Sequence, residues 1–159
     1  MSPTSMTSDD LRSFITERGI DATILTMASH TATVGDAARE LDVAAGQIIK
    51  SLVFTVDDQP LLVITNGTAR VDRKKLAAFL GVGRKRVRFA DADQALGITG
   101  YVVGSMPPFG HRQPLRTLVA PAITRLDLIY GGGGDIDAML RLTPAELLRA
   151  TTAQVVEVS

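Results

Sequence analysis

Short strand and short helix candidates follow one another along this chain without a regular βαβ rhythm, which predicts a single α+β domain around a mixed β-sheet with short flanking helices. Three observations support that class. The length of 159 residues is one ordinary domain, able to bury roughly two-thirds of its unfolded surface. Hydrophobic residues at 45% and charged residues at 21% are globular proportions and exclude a disordered or fibrous chain. No repeat, low-complexity linker or compositional break divides the sequence.

Each element has a local reason. Residues 1–10 are polar, with Asp9 and Asp10 where a signal peptide would be basic and then apolar. They read as a flexible leader to one domain over residues 11–159. Ser8-Asp9-Asp10 starts a helix whose apolar face is Leu11, Phe14 and Ile15, and Gly19 stops it. Ala22 to Met27 is a strand, and Thr33 caps a helix through Leu41. Ile48 to Val56 and Leu61 to Thr65 are β-branched and apolar, a hairpin across Asp57-Asp58-Gln59-Pro60. Asp72 caps a helix from Arg73 to Leu80, ended by Gly81. Val87 to Phe89 is a strand, Asp91 to Leu96 a short helix, and Tyr101 to Val103 strand-like. Strands follow at Thr117 to Val119 and Leu126 to Tyr130. Thr143-Pro144-Ala145-Glu146 opens a helix with cap, N1 proline and N3 glutamate, and Gln154 to Val158 is a last strand.

Composition excludes whole classes of chemistry. There is no cysteine, hence no disulfide, thiolate nucleophile, zinc finger or iron–sulfur cluster. Two histidines, His30 and His111, leave little for metal ligation, and no GxSxG, HExxH or acidic metal loop is present. The longest apolar runs are too short to span a bilayer. Seventeen basic and seventeen acidic residues cancel, so any contact with nucleic acid must rest on a local patch.

Four constellations could carry chemistry. Lys50 is isolated among large apolar neighbours, sharing a strand face with Ile48, Leu52 and Phe54. It is either an edge-strand lysine reaching water or a cation in a pocket that takes a phosphate or carboxylate. The loop Gly104-Ser105-Met106-Pro107-Pro108-Phe109-Gly110-His111 is either a rigid pocket wall or an ordinary tight connection. Gly131 to Gly134 either expose amide donors to an oxyanion or form a turn. Arg70, Arg73, Lys74, Lys75, Arg84, Lys85, Arg86 and Arg88 crowd one segment, either a phosphate-backbone contact or a solvated face. With no nucleophile–base relay in sight, an enzyme built this way works by positioning a substrate that is already activated, such as an ester.

Ile49-Lys50-Ser51-Leu52-Val53-Phe54, Val71-Asp72-Arg73-Lys74-Lys75-Leu76, Gly104 through Pro108-Phe109-Gly110-His111, the glycine run, and Leu142-Thr143-Pro144-Ala145-Glu146-Leu147 stand in that order. Together they resemble the YbaK/prolyl-tRNA-synthetase-associated editing domain family, from about Ala28 to Arg149. The resemblance implies a curved, partly barrel-like mixed sheet and hydrolysis of the ester of a mischarged tRNA. The amino acid would be small (cysteine, alanine, serine or threonine) and the tRNA that of proline. It implies Lys50, Gly131 and Gly132 as the catalytic set, with no metal and no cofactor. His30, Ser51, Gly104, Ser105, Pro107, Pro108, Phe109, Gly110, His111 and Gly133 would complete the substrate pocket. The partners implied are the tRNA acceptor end and prolyl-tRNA synthetase, in the cytoplasm and away from membranes. A tRNA- or synthetase-binding module of the same fold, without turnover, is the alternative. A small-molecule binder using the glycine loops for a nucleotide is a second rival. One departure stands out: Pro107 replaces the serine that many relatives carry before Pro-Phe-Gly, removing a hydroxyl from the expected pocket wall.

Overall fold

Helices form in the computed structural model where the sequence supplies caps; the structure describes residues 5–31 and 33–159. α1 (Ser8–Arg18) is opened by Thr7, whose side chain and Asp10 make a reciprocal capping box, and closed by Gly19 at φ 60°. α2 (Val34–Leu41) starts at Thr33, which accepts from the Asp36 N–H. α3 (Arg73–Leu80) starts at Asp72, which accepts from the Lys74 and Lys75 N–H groups. α4 (Ala92–Thr99) carries an Asp91–Gln94 box and outlasts the expected end at Leu96. α5 (Pro144–Thr151) has Thr143 as cap and proline in its first turn.

Strands β1 (Ala22–Thr26), β6 (Ile129–Gly132) and β7 (Ala138–Leu142) form an antiparallel sheet in the order β1-β7-β6. Strands β2 (Ile49–Val56), β3 (Gln59–Asn66), β4 (Val87–Phe89), β5 (Arg116–Val119) and β8 (Gln154–Val155) form a mixed sheet in the order β4-β2-β3-β5-β8. β3-β5 and β5-β8 are its parallel pairs. The single α+β domain expected from the sequence is present, with its strands divided between two open sheets joined where Ile48 bridges Tyr130, in place of the one partly barrel-like sheet that the resemblance implied.

The β2–β3 hairpin turns more tightly than expected. Asp57 and Asp58 both take positive φ, 49° and 65°, so β3 begins at Gln59. Asp tolerates this region, and such a turn matches strand twist. Gly67 N–H donates to Ile48 O, which makes the even-numbered β2 residues the hydrogen-bonded pairs with β3. Pro60 sits opposite Thr55, a non-hydrogen-bonded position where its missing N–H breaks no β2 bond.

Three expectations fail for identifiable reasons. Tyr101 to Val103 is not a strand: α4 runs on to Thr99, the chain reverses at Gly100 (φ 89°), and Val102 and Val103 point to water. The apolar run there imitates a strand, although Tyr101 alone is buried, its hydroxyl donating to Gly110 O at 3.0 Å. The strand expected from Leu126 starts only at Ile129, after a 3-10 turn over Pro121–Arg125, and it includes Gly131 and Gly132. β7 had no sequence signal, because Ala138, Met139 and Leu140 are buried on both faces and show no alternation. The last strand shrinks to Gln154–Val155.

Residues 1–4 of the expected leader lie outside the described residues. Its remainder is built in: Met6 N–H donates to Gly100 O at 2.7 Å, and Ser8 Oγ and N–H both donate to Asp135.

β2 carries three apolar clusters. Ile49 and Val53 face the largest, with Leu11, Ile64, Phe109 and Leu140. Phe54, with Leu52 against it, belongs to a second with Val63, Leu76 and Val87, and Ile48 to a third with Ala37, Tyr130 and Met139. Lys50 stands between the second and third, on the face it shares with Ile48 and Leu52.

Candidate active site

β4 pairs with the outer edge of β2 at Phe54–Val56, and β6 bridges the chain at Ile48, just before β2. From Ile49 to Leu52 no strand pairs with the edge among the described residues, and a cleft of about 670 Å³ opens along it. One end is Phe89, Ala90, Asp91 and Ala95. The other is Gly132, Met139 and the start of α2 at Thr33, Val34 and Gly35. Val103, Gly104 and Met106 form a wall, and Lys50 with Arg70 supplies the positive charge.

Because the even residues of β2 bond to β3, Ile49, Ser51 and Val53 turn their backbone groups toward this edge. Val53 O is taken by the Ala90 N–H at 3.0 Å. On β6, Gly133 N–H donates to Ala138 O, which makes Gly132 and Met139 a non-hydrogen-bonded pair. Gly132 therefore directs its amide away from β7, toward the β2 side.

Lys50 is half-buried, and its Nζ donates to Ala69 O at 3.3 Å. An ammonium has three donors, so two are left without a protein partner among the described residues, on a side chain that lines the cleft. Directly opposite on β3, and on the same face, Thr65 is fully buried with its hydroxyl unpartnered among the described residues. Asp91 is the carboxylate among the described lining residues, and it accepts from the Gln94 N–H as a cap. No histidine lines the cleft among the described residues. The site offers cations, backbone donors and apolar surface, with no free acid–base pair.

The expected site residues divide. Lys50, Ser51, Gly104 and Gly132 line the cleft. Gly131 and Gly133 do not: a Cβ would lie 3.0 Å from the Ile49 side chain at Gly131 and 2.5 Å from Ala138 backbone at Gly133. These glycines make room for the protein itself. Ser105 is buried, its hydroxyl donating to Val102 O at 2.8 Å. Pro107 and Pro108 are buried, and Phe109, 4% exposed, stacks on Phe14. Gly110 closes against Leu11 and Phe14. His111 lies edge-on to Tyr101 and donates from Nε2 to Pro107 O at 2.8 Å, the carbonyl being only an acceptor. Burial pushes its pKa down, against the raising effect of that bond. It is a structural histidine. His30 is exposed, beside rather than among the lining residues. The loop thus contributes Val103, Gly104 and Met106 and sends residues 107–110 into the core.

The basic segment also divides. Arg73 donates to the Val87 and Arg84 carbonyls, Arg86 pairs with Asp57, and Lys75 donates to Ser159 O. Arg70, Lys74, Arg84, Lys85 and Arg88 have exposed side chains without a partner among the described residues, and Arg70 reaches the cleft.

Sequence reasoning missed Phe89, Asp91, Met139 and the first turn of α2 as lining residues. The cap at Thr33 and the apolar residue ending β4 were visible, but only the tertiary fold brings both to the β2 edge.

The family model described as the aminoacyl-tRNA editing domain matches residues 28–150. The multifunctional Ser/Thr-tRNA deacylase ProXp-y of Escherichia coli (strain K12) is 29% identical over 164 residues, covering 98% of this chain and 95% of that one. A proline–tRNA ligase of Lactobacillus gasseri is 36% identical over 78 residues, 49% of this chain and 14% of the ligase. A solved structure described as a candidate trans-editing enzyme for prolyl tRNA synthetase superposes with a TM-score of 0.89 at 29% identity, covering 100% of this chain and 98% of that one.

Proposed function

The chain belongs to the aminoacyl-tRNA editing domain family and is an aminoacyl-tRNA deacylase; from that premise we propose that it clears small amino acids from mischarged tRNA by acting in trans, in the cytoplasm. The observation that carries this reading is Lys50, a half-buried cation that lines a cleft holding no free general base among the described residues and keeps two donors without a protein partner there. The substrate ester is reactive already, and alignment with fixed donors supplies much of the rate.

In this reading the 3′ end of the tRNA enters along the bare edge of β2. Lys50 donates to the terminal ribose or phosphate, and backbone donors at Ser51 and Gly132 face the acyl group. Water adds to the ester carbonyl carbon, the bond to the ribose oxygen breaks, and that oxygen leaves with a proton, giving free amino acid and tRNA. Without a free carboxylate or histidine beside it, the water is activated by a substrate hydroxyl or amine. The amino-acid side chain lies against Met106, Val53 and Ala95, which favours small groups.

Three of these similarities support the finer choices. The deacylase relative named for Ser/Thr-tRNA makes serine and threonine the leading amino acids. The ligase match and the structural neighbour make proline tRNA the leading carrier and prolyl-tRNA synthetase the leading partner. The test is hydrolysis of tRNAs mischarged with alanine, cysteine, serine or threonine. Release of one of them above the buffer rate is expected. Binding of tRNA with every ester intact would overturn turnover and leave a binding module.

A further inference from the structure

Phe89 is 60% exposed and lines the cleft, and its ring has one aromatic neighbour. Phe54 meets it edge-on, with centroids 5.3 Å apart and planes at 77°. Phe54 itself belongs to the second apolar cluster, so the ring rests against that cluster's edge while lining the cleft.

Register places this ring relative to Lys50. Phe89 pairs directly with Phe54, so the two share a face of the sheet. Phe54, Leu52 and Lys50 alternate along that same face of β2. Phe89 therefore stands on the Lys50 face, one strand over and four residues along, ~13 Å at the strand rise. Leu52 lies between them, and Arg70 lines the same cleft.

We propose that Phe89 is the stacking platform for the terminal base of the tRNA 3′ end, with the ester-bearing ribose at Lys50 and the sugar edge over Leu52. This rests on the deacylase reading of the cleft. Every base has a π-face, so an exposed aromatic ring holds one without hydrogen-bond readout, and losing such a ring costs roughly tenfold in affinity. A nucleoside spans the interval once Lys50 and Phe89 both lean into the cleft. Arg70, which lines the same cleft, then stands beside the path of the phosphates.

The experiment uses aminoacylated tRNA carrying 2-aminopurine as its terminal base, whose fluorescence falls on stacking. The full chain should quench it on binding. Phe89→Leu keeps an apolar residue without a ring; it should abolish quenching and raise KM roughly tenfold, with a smaller change in kcat. Phe89→Tyr should restore both. If tRNA binds and is deacylated but Phe89→Leu quenches as the parent does, the base subsite is wrong and the deacylase reading stands. If the parent neither binds nor hydrolyses any aminoacyl-tRNA, the deacylase reading itself fails.

Discussion

A Cβ placed on Gly132 would overlap the Met106 carbonyl oxygen, so the cleft wall and β6 touch backbone to backbone. The neighbouring bond from Gly134 N–H to Ser105 O at 2.9 Å fastens the two segments together. Gly132→Ala must push the wall away, at about 1–3 kcal/mol. We expect a lower Tm and a loss of kcat exceeding the rise in KM. An unchanged Tm would show that the wall is not clamped there.

Specificity is predicted to sit at residue 106 rather than 107. Met106 lines the cleft, whereas Pro107 is buried and turned away, its carbonyl held by His111. Met106→Ala should enlarge the acyl side and admit a larger amino acid, while Pro107→Ser should leave the order of preference intact. Profiles across alanyl, seryl, threonyl and cysteinyl esters decide between them.

The two halves of the basic segment should separate in solution. Arg73→Ala removes donors from the Val87 and Arg84 carbonyls and should cost roughly 1–3 kcal/mol of stability. Lys85→Glu with Arg88→Glu should spare stability and raise KM for aminoacyl-tRNA. It should also flatten the salt dependence of KM, by about one unit of slope for each phosphate no longer neutralised. A KM indifferent to both reversals would return these side chains to solvent.

His111 gives a pH dependence with a definite sign. Its folded pKa lies below the ordinary 6.5 because burial disfavours the charged ring. Below that value the unfolded chain binds the extra proton, so stability is full above pH 6.5 and falls as the pH drops through the window beneath it. Urea midpoints at pH ~7.5 and ~5.5 should differ more for the parent than for His111→Asn. Glu146 acts lower down: held to about 2 by Arg149 and the Asp21 N–H, it weakens the fold only as pH falls below its ordinary 4.5.

What was legible in the sequence was local. Caps at Thr33, Asp72 and Thr143 act within one helical turn, and their helices start where expected. Lys50 was conspicuous because a lone ammonium in an apolar strand needs a reason. Adjacency misled where direction mattered: Phe109 and His111 follow the cleft wall in sequence but turn inward, which composition does not encode. The glycines promised open backbone, and all four instead accommodate neighbouring protein atoms, at Ile49, Met106, Ala138 and Ser8 in turn. Phe89 and the start of α2 join the site only because β2 is left bare between β4 and β6.

The most direct test is the single-turnover rate of ester hydrolysis at saturating protein, comparing the parent with Lys50→Ala. Among the described residues Lys50 makes one long hydrogen bond, to Ala69, so its removal should leave Tm nearly unchanged. The account predicts a fall of at least ~100-fold in rate, the scale of a lost transition-state donor. Equal rates in the two folded proteins would contradict it and move the chemistry away from this cleft.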